Sequence, residues 1–433
     1  DLGVEGNTFL IMGGEKKIFS LSYNITGPGI IPPLGDQALI RLERTINYWR
    51  EWIQTCSYRG EYSQEVRRSA LALKLLTYSP SGAIIAAPTT SLPEKIKGER
   101  NWDYRFCWLR DAAFTVRAFL GLGLIEEARA YMSWILHSTE LTRPRLQVMY
   151  TLYGYSKISE KILNWFSGYK DSRPVRSGNG ASTQFQLDVY GEVMDAVYLF
   201  SPHVKKFDKD NFQFLKGIAD SVCDLWQIPD EGIWEIRSGP LHHVHSQAMA
   251  LIALDRFLKL ADHMSWKIPR GKYETTAKQI KERIENEGYS EALQSYVRAS
   301  DDNAGLDASL LTIPILGEGL LNDKRMRRTI RAVQRDLMEN GLTYRYKNRE
   351  DGLPGTEGAF GACSFWMVED LARIGQQEEA RELMDTLLEK QNDVGLWPEE
   401  LDPENDEYLG NYPQAFTHTA LIGAALTLQE KFS

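Results

Sequence analysis

Residues 243–262 read HVHSQAMALIALDRFLKLAD. Val244, Ala248, Leu251, Leu254, Leu258 and Ala261 recur there every three or four positions, so one face of a helix collects them. The same spacing returns near 36–56, 64–77, 107–122, 125–137, 145–156, 186–201, 208–226, 273–286, 305–312, 324–338, 360–373, 376–390 and 413–428. With 243–262 that predicts fourteen helices. Connections rich in Gly and Trp separate them, and consecutive antiparallel pairs suit a closed double ring of six inner and six outer members. No period of about 34 to 47 residues repeats, which counts against an open helical solenoid. The predicted fold is therefore all-α, an (α/α)6 barrel.

Working outward, the helical pattern stops at Pro32 and Pro33. Residues 1–33 are rich in Gly, with β-type runs at 8–12 and 17–23. Such a segment is too small to fold alone, and reads as a strand-rich piece packed on the helical body or as the end of an upstream β domain. The expected division is 1–33 β-rich and 34–433 catalytic.

Composition narrows the class. With 43% hydrophobic and 25% charged residues, the chain of 433 residues has the make-up of a globular protein with a substantial core. Its net charge of −9 and lack of a basic stripe exclude nucleic acid as a natural partner. No apolar run approaches the roughly 18 residues that suggest a membrane span. Cys56, Cys107, Cys223 and Cys363 are scattered without a CxxC, which favours a reducing, cytoplasmic setting. Residue 1 is Asp, so a start further upstream with a secretion signal stays compatible. Aromatics make up 11% of the chain, and those beside carboxylates and arginines suit a neutral sugar, whose apolar faces stack on rings.

Four loops concentrate that chemistry. Residues 100–111, RNWDYRFCWLRD, hold two Trp, two Asp and three Arg ahead of an apolar helix. As structure alone they read as a charged helix start, with Asp111 favoured by the helix dipole. Residues 178–192 alternate Gln184, Gln186, Asp188, Tyr190 and Glu192, which is also the pattern of a solvated edge. Residues 229–246 carry Trp234, Glu235 and Arg237 with His242, His243 and His245. The HxH pair lacks the third, separated ligand that a catalytic zinc needs, so one His is expected to pack beneath the loop and another to bond a neighbour. Glu235, between Trp234 and apolar neighbours, is expected to have its acid raised by desolvation, as a general acid requires. Residues 393–418 place Glu399 and Glu400 after Trp397 and Pro398. A plain acidic surface loop is the structural alternative. Two glutamates on distant loops are the minimum for hydrolysing a glycosidic bond.

The ordered motifs RNWDYRFCWLRD, GIWEIR, EGAFGACSFW, GLWPEELDP and LGNYPQAFTH resemble glycoside hydrolase family 15, which holds glucoamylases, glucodextranases and prokaryotic trehalases. The resemblance runs from about Arg41 to the C-terminus. It implies the barrel, inversion at the anomeric carbon and release of β-glucose from non-reducing ends. It implies Glu235 as general acid and Glu399 as general base, with Glu400 as the fallback base. It also implies Arg110 and Asp111 on the innermost sugar, and Trp108, Trp234, Arg345 and Trp366 lining the glucose pocket. No cofactor or metal is implied. The expected substrate is an α-linked gluco-oligosaccharide cleaved as by a glucoamylase, with trehalose as rival and isomalto-linked sugars undistinguished. A noncatalytic sugar-binding or regulatory module on the same scaffold is the alternative of another class, and loss of either carboxylate would favour it. A homo-oligomer or an upstream β domain is the partner expected beyond the saccharide.

Overall fold

The computed structural model describes residues 10–19, 35–140, 142–300, 305–347 and 351–430. The chain forms two compact units that divide between Thr55 and Cys56. In the first, residues 10–19 form a turn at 13–14 within irregular chain, and α1 spans Gln37–Gln54. Of the runs expected as strands at 8–12 and 17–23, the described residues 10–12 and 17–19 are irregular. The rest of 1–33 lies outside the described residues. The first unit includes α1, which begins at Gln37.

The second unit is the barrel. Its inner helices are α3 (Leu109–Gly121), α5 (Asp188–Phe200), α7 (Val244–His263), α9 (Thr312–Leu316), α11 (Gly361–Arg373) and α13 (Ala415–Glu430). Each packs on the next, and α13 returns to α3 to close the ring. The outer helices are α2 (Ser63–Leu76), α4 (Ile125–Ser138), α6 (Lys209–Leu225), α8 (Arg270–Glu287), α10 (Asp323–Leu337) and α12 (Gln377–Leu388). They lie against the inner ring: α2 on α13, α4 on α3, α6 and α8 on α7, and α10 and α12 on α11.

Side-chain pattern decides which ring a helix joins. Inner α5 buries every residue from Asp188 to Val197, and α11 every residue from Gly361 to Ala372. Outer α8 buries only Tyr273, Thr276, Ile280 and Ile284, a single stripe at helical spacing. A helix buried all round belongs inside, and a striped one faces water. Gly191 lets α5 approach α7 closely, since a Cβ there would lie 2.3 Å from the Met249 carbonyl oxygen.

Two predicted helices differ. Residues 145–156 are extended and turned: Met149–Tyr150 pair with Cys107–Trp108, and Gly154 turns with φ of +84°. Valine, threonine and tyrosines crowd this run, and side chains of that kind favour strand. The helix expected at 305–312 forms later, as a 3-10 turn Ala308–Leu311 leading into α9. The Asp307 carboxylate accepts the Ser309 N–H at 2.7 Å and fixes that start. Among the described residues no helix is long and apolar enough to cross a membrane.

Every loop singled out from the sequence leads into the N-terminal end of an inner helix, so ring closure brings the loops to one end of the barrel.

Candidate active site

Residues 100–106 run extended. The N–H groups of Ser91, Ala87 and Ala86 donate to the carbonyls of Trp102, Tyr104 and Phe106. Alternation along such a segment sends Arg100, Trp102 and Tyr104 to one side, where they line a cavity with Trp108, Arg110 and Asp111. Asp103 points the other way, is fully buried, and accepts the Gly178 N–H at 2.9 Å.

Glu235 enters the cavity from a tight turn. Its N–H donates to the Gly232 carbonyl at 3.2 Å, and its φ is +60°, a region that costs energy for any residue with a side chain. Gln184 Nε2 holds the turn by donating to the carbonyls of Glu235 and Ile236, at 3.2 and 3.3 Å. The carboxylate accepts the Trp108 indole N–H at 2.6 Å and lies 3.4 Å from Arg110 Nη2. Its side chain is 19% exposed. The apolar setting expected for it is instead an indole donor and a guanidinium. Arg110 also donates to Gln186 Oε1 at 3.0 Å and stands 3.6 Å from Asp111 Oδ2. Burial pushes the Asp111 carboxyl up to about 6, against the opposing pull of Arg110.

Glu399 faces the same cavity from the other side and is 1% exposed. Tyr104 Oη donates to its Oε1 at 2.5 Å, and the Asn411 N–H to its Oε2 at 3.1 Å. Gly410, at φ of +71°, is needed there, because a Cβ would lie 2.4 Å from Glu399 Oε2. Burial, then the charge of Glu94, push the Glu399 carboxyl up to about 8, while the Tyr104 and Asn411 donors and Arg345 oppose them. The Tyr104 and Trp108 rings meet edge to face at 5.3 Å, so this aromatic pair carries one carboxylate at each end.

Glu400 points away. It is fully buried, accepts Arg345 Nη2 at 3.1 Å and the Gly358 N–H at 2.8 Å, and does not line the cavity. Glu94, Glu357 and Glu400 have oxygens within 4.8 Å of one another, the one such group among the described residues. Arg345 Nη2 reaches all three, at 3.1, 2.7 and 3.1 Å, so a guanidinium already supplies the positive charge of this cluster.

Of the residues expected in the pocket, Glu235, Glu399, Arg110, Asp111, Trp108, Trp234 and Arg345 line it. Trp234 is held by Asp307 Oδ1 at 2.8 Å and packs on Phe360. Trp366 does not line it. It is 1% exposed, packs against Phe114, Phe416 and Trp234, and borders a separate cavity farther along the barrel. An α11 residue that points into the ring supports the pocket from behind. Sequence reasoning passed over Tyr104, Trp102, Arg100 and Glu94. The first three stood inside the quoted motif, and alternate spacing was their signal; Glu94 had none. His242 Nε2 bonds the Gln227 carbonyl at 2.9 Å, while His243 packs beneath the loop at Gly232.

The architecture is the closed (α/α)6 double ring, with Glu235 and Glu399 in one cavity at its loop end. The sequence model of glycosyl hydrolases family 15 matches residues 60–426, and the chain belongs to that family. It is 36% identical to a trehalase of Thermoplasma volcanium over 91% of this chain and 63% of that protein. It is 40% identical to a trehalase of Mycolicibacterium smegmatis over 91% of this chain and 60% of that one. The chain thus spans about three fifths of the length of these relatives. A bacterial glucoamylase solved with acarbose superposes with a TM-score of 0.71 at 15% identity, covering 92% of this chain and 60% of that one. The glucoamylase of Saccharomycopsis fibuligera superposes at 0.63 and 15% identity, covering 85% and 94%. At such identities these likenesses establish the (α/α)6 fold.

Proposed function

We propose that the chain is the catalytic part of an inverting α-glucoside hydrolase whose substrate is trehalose. The observation that carries the chemistry is the placement of Glu235 and Glu399 in one cavity, each gripped by an aromatic donor. Glu235 protonates the glycosidic oxygen as the C1–O bond breaks. Glu399 takes a proton from the water that attacks C1 from the opposite face, which inverts that carbon. Arg110 and Asp111, beside Glu235, hold hydroxyls of the attacked glucose.

The relatives favour trehalose over malto-oligosaccharides, reversing the order expected from sequence. Proteins named trehalase are 36 and 40% identical over nine tenths of the chain, whereas the glucoamylases share 15% and speak to fold.

The test is glucose release from trehalose and from maltotriose, with the first-formed anomers read by NMR. Inversion on trehalose yields one β-glucose and one α-glucose per turnover. Two α-glucoses would remove Glu399 as an inverting base, and release from maltotriose alone would move the substrate to the malto series. Glu235→Gln should lower turnover by about a hundredfold or more while trehalose still binds, since it removes a proton donor and little volume.

A further inference from the structure

We propose that Arg237 is the specificity residue of the leaving-group subsite, donating hydrogen bonds to hydroxyls of the departing sugar from a fixed stack on Trp102. This rests on the assignment of Glu235 as the acid. An acid that protonates the glycosidic oxygen stands where the two sugars join, with Arg110, Asp111 and Glu399 on the deep side. Arg237, two residues further along the same loop, lines the same cavity and is exposed at its rim.

Arg237 is held ready there. Its guanidinium carbon lies 4.5 Å from the centroid of the Trp102 ring, and Arg176 lies 4.4 Å from the same centroid. Glu94 Oε1 accepts the Trp102 indole N–H at 2.8 Å and fixes the ring. The backbone is fixed as well: the Arg237 N–H donates to the Asp351 carbonyl at 2.7 Å, and a Cβ on Gly352 would lie 2.7 Å from Ser238 N.

The two arginines differ in what their charge does. Arg176 pairs with Glu160 at 3.3 Å and donates to the carbonyls of Glu99 and Asn101, both at 2.9 Å. Among the described residues Arg237 has neither an ion pair nor a side-chain hydrogen bond, and its ring contact is the stack itself. A guanidinium whose partner is a ring and not an acceptor keeps its N–H donors available, and several donors in a rigid fork suit neighbouring hydroxyls. The ligand class that matches is a neutral sugar as leaving group. An aryl leaving group lacks that set of neighbouring hydroxyls.

Wild type and Arg237→Ala are compared on trehalose and on 4-nitrophenyl α-glucoside. The ratio of kcat/KM for trehalose to that for the aryl glucoside should fall by about tenfold or more, and Arg237→Lys should recover part of it. A ratio unchanged within about twofold overturns the proposal, because equal losses on both substrates mean that Arg237 acts through the acid or the fold. If wild type cleaves neither substrate, the hydrolase reading fails separately, and calorimetric binding of trehalose then decides. Weaker binding by Arg237→Ala supports the subsite, while equal binding, or none by wild type, sinks it.

Discussion

Glu399 and Glu400 are chain neighbours with opposite surroundings: one faces the cavity beside Tyr104, the other is locked to Arg345. A short extended stretch sends successive side chains to opposite faces, so a one-residue choice between bases is a choice of face. Glu94 bears on that base through its charge, pushed up itself to about 7 by burial, with Glu357 adding to the rise. The two titrate as a pair. A general base works ionised, so activity falls as pH drops through the pair's range. Glu94→Gln removes a like charge and lowers the Glu399 pKa, and the acidic limb of kcat/KM should move to lower pH by about one unit. An unmoved limb would detach Glu94 from the base.

At the scale of elements, the inner ring depends on close approach. Gly191→Ala would drive a methyl into the Met249 carbonyl, and should cost about 1–3 kcal/mol in urea denaturation. Gly271→Ala, in outer α8 with nothing within 4 Å of the added carbon, is the control and should not destabilise. Equal behaviour of the two would mean that α5 and α7 can part without penalty. Helices were legible where an apolar pattern ran for several turns, as in α7. Residues 145–156 misled because three- and four-residue spacing also occurs by chance in a short run whose aromatics pair as a strand.

For the whole molecule, ring closure ties the base loop to the barrel wall. His418, on α13, accepts the Trp397 N–H at Nε2 (3.2 Å), and its Nδ1 bonds Ser69 Oγ on α2 at 3.0 Å. Burial, then Arg68, hold its pKa down to about 3, and burial with Arg110 and His243 does the same for His245. Folded-state values below the unfolded 6.5 mean that the unfolded chain binds these protons first. Stability from the two histidines is full above about pH 6.5 and is lost as pH falls from there toward 3, on the order of 1 kcal/mol per pH unit for each. His418→Gln, which cannot be protonated, should flatten part of the acid fall in melting temperature; an unchanged profile would refute the link.

The sequence by itself determined the helical periodicity, the six-pair barrel and the motifs that bring Glu235, Glu399, Arg110 and Trp108 to the loop end, because these follow from local spacing and residue type. Only the tertiary structure decided which glutamate of the pair faces the cavity, that Tyr104 grips Glu399, and that Trp366 stands behind the pocket. It likewise decided that Glu94 joins Arg345 across 251 positions of chain. Those outcomes depend on which faces meet when the ring closes, and contacts between residues so far apart leave no periodic trace in the chain.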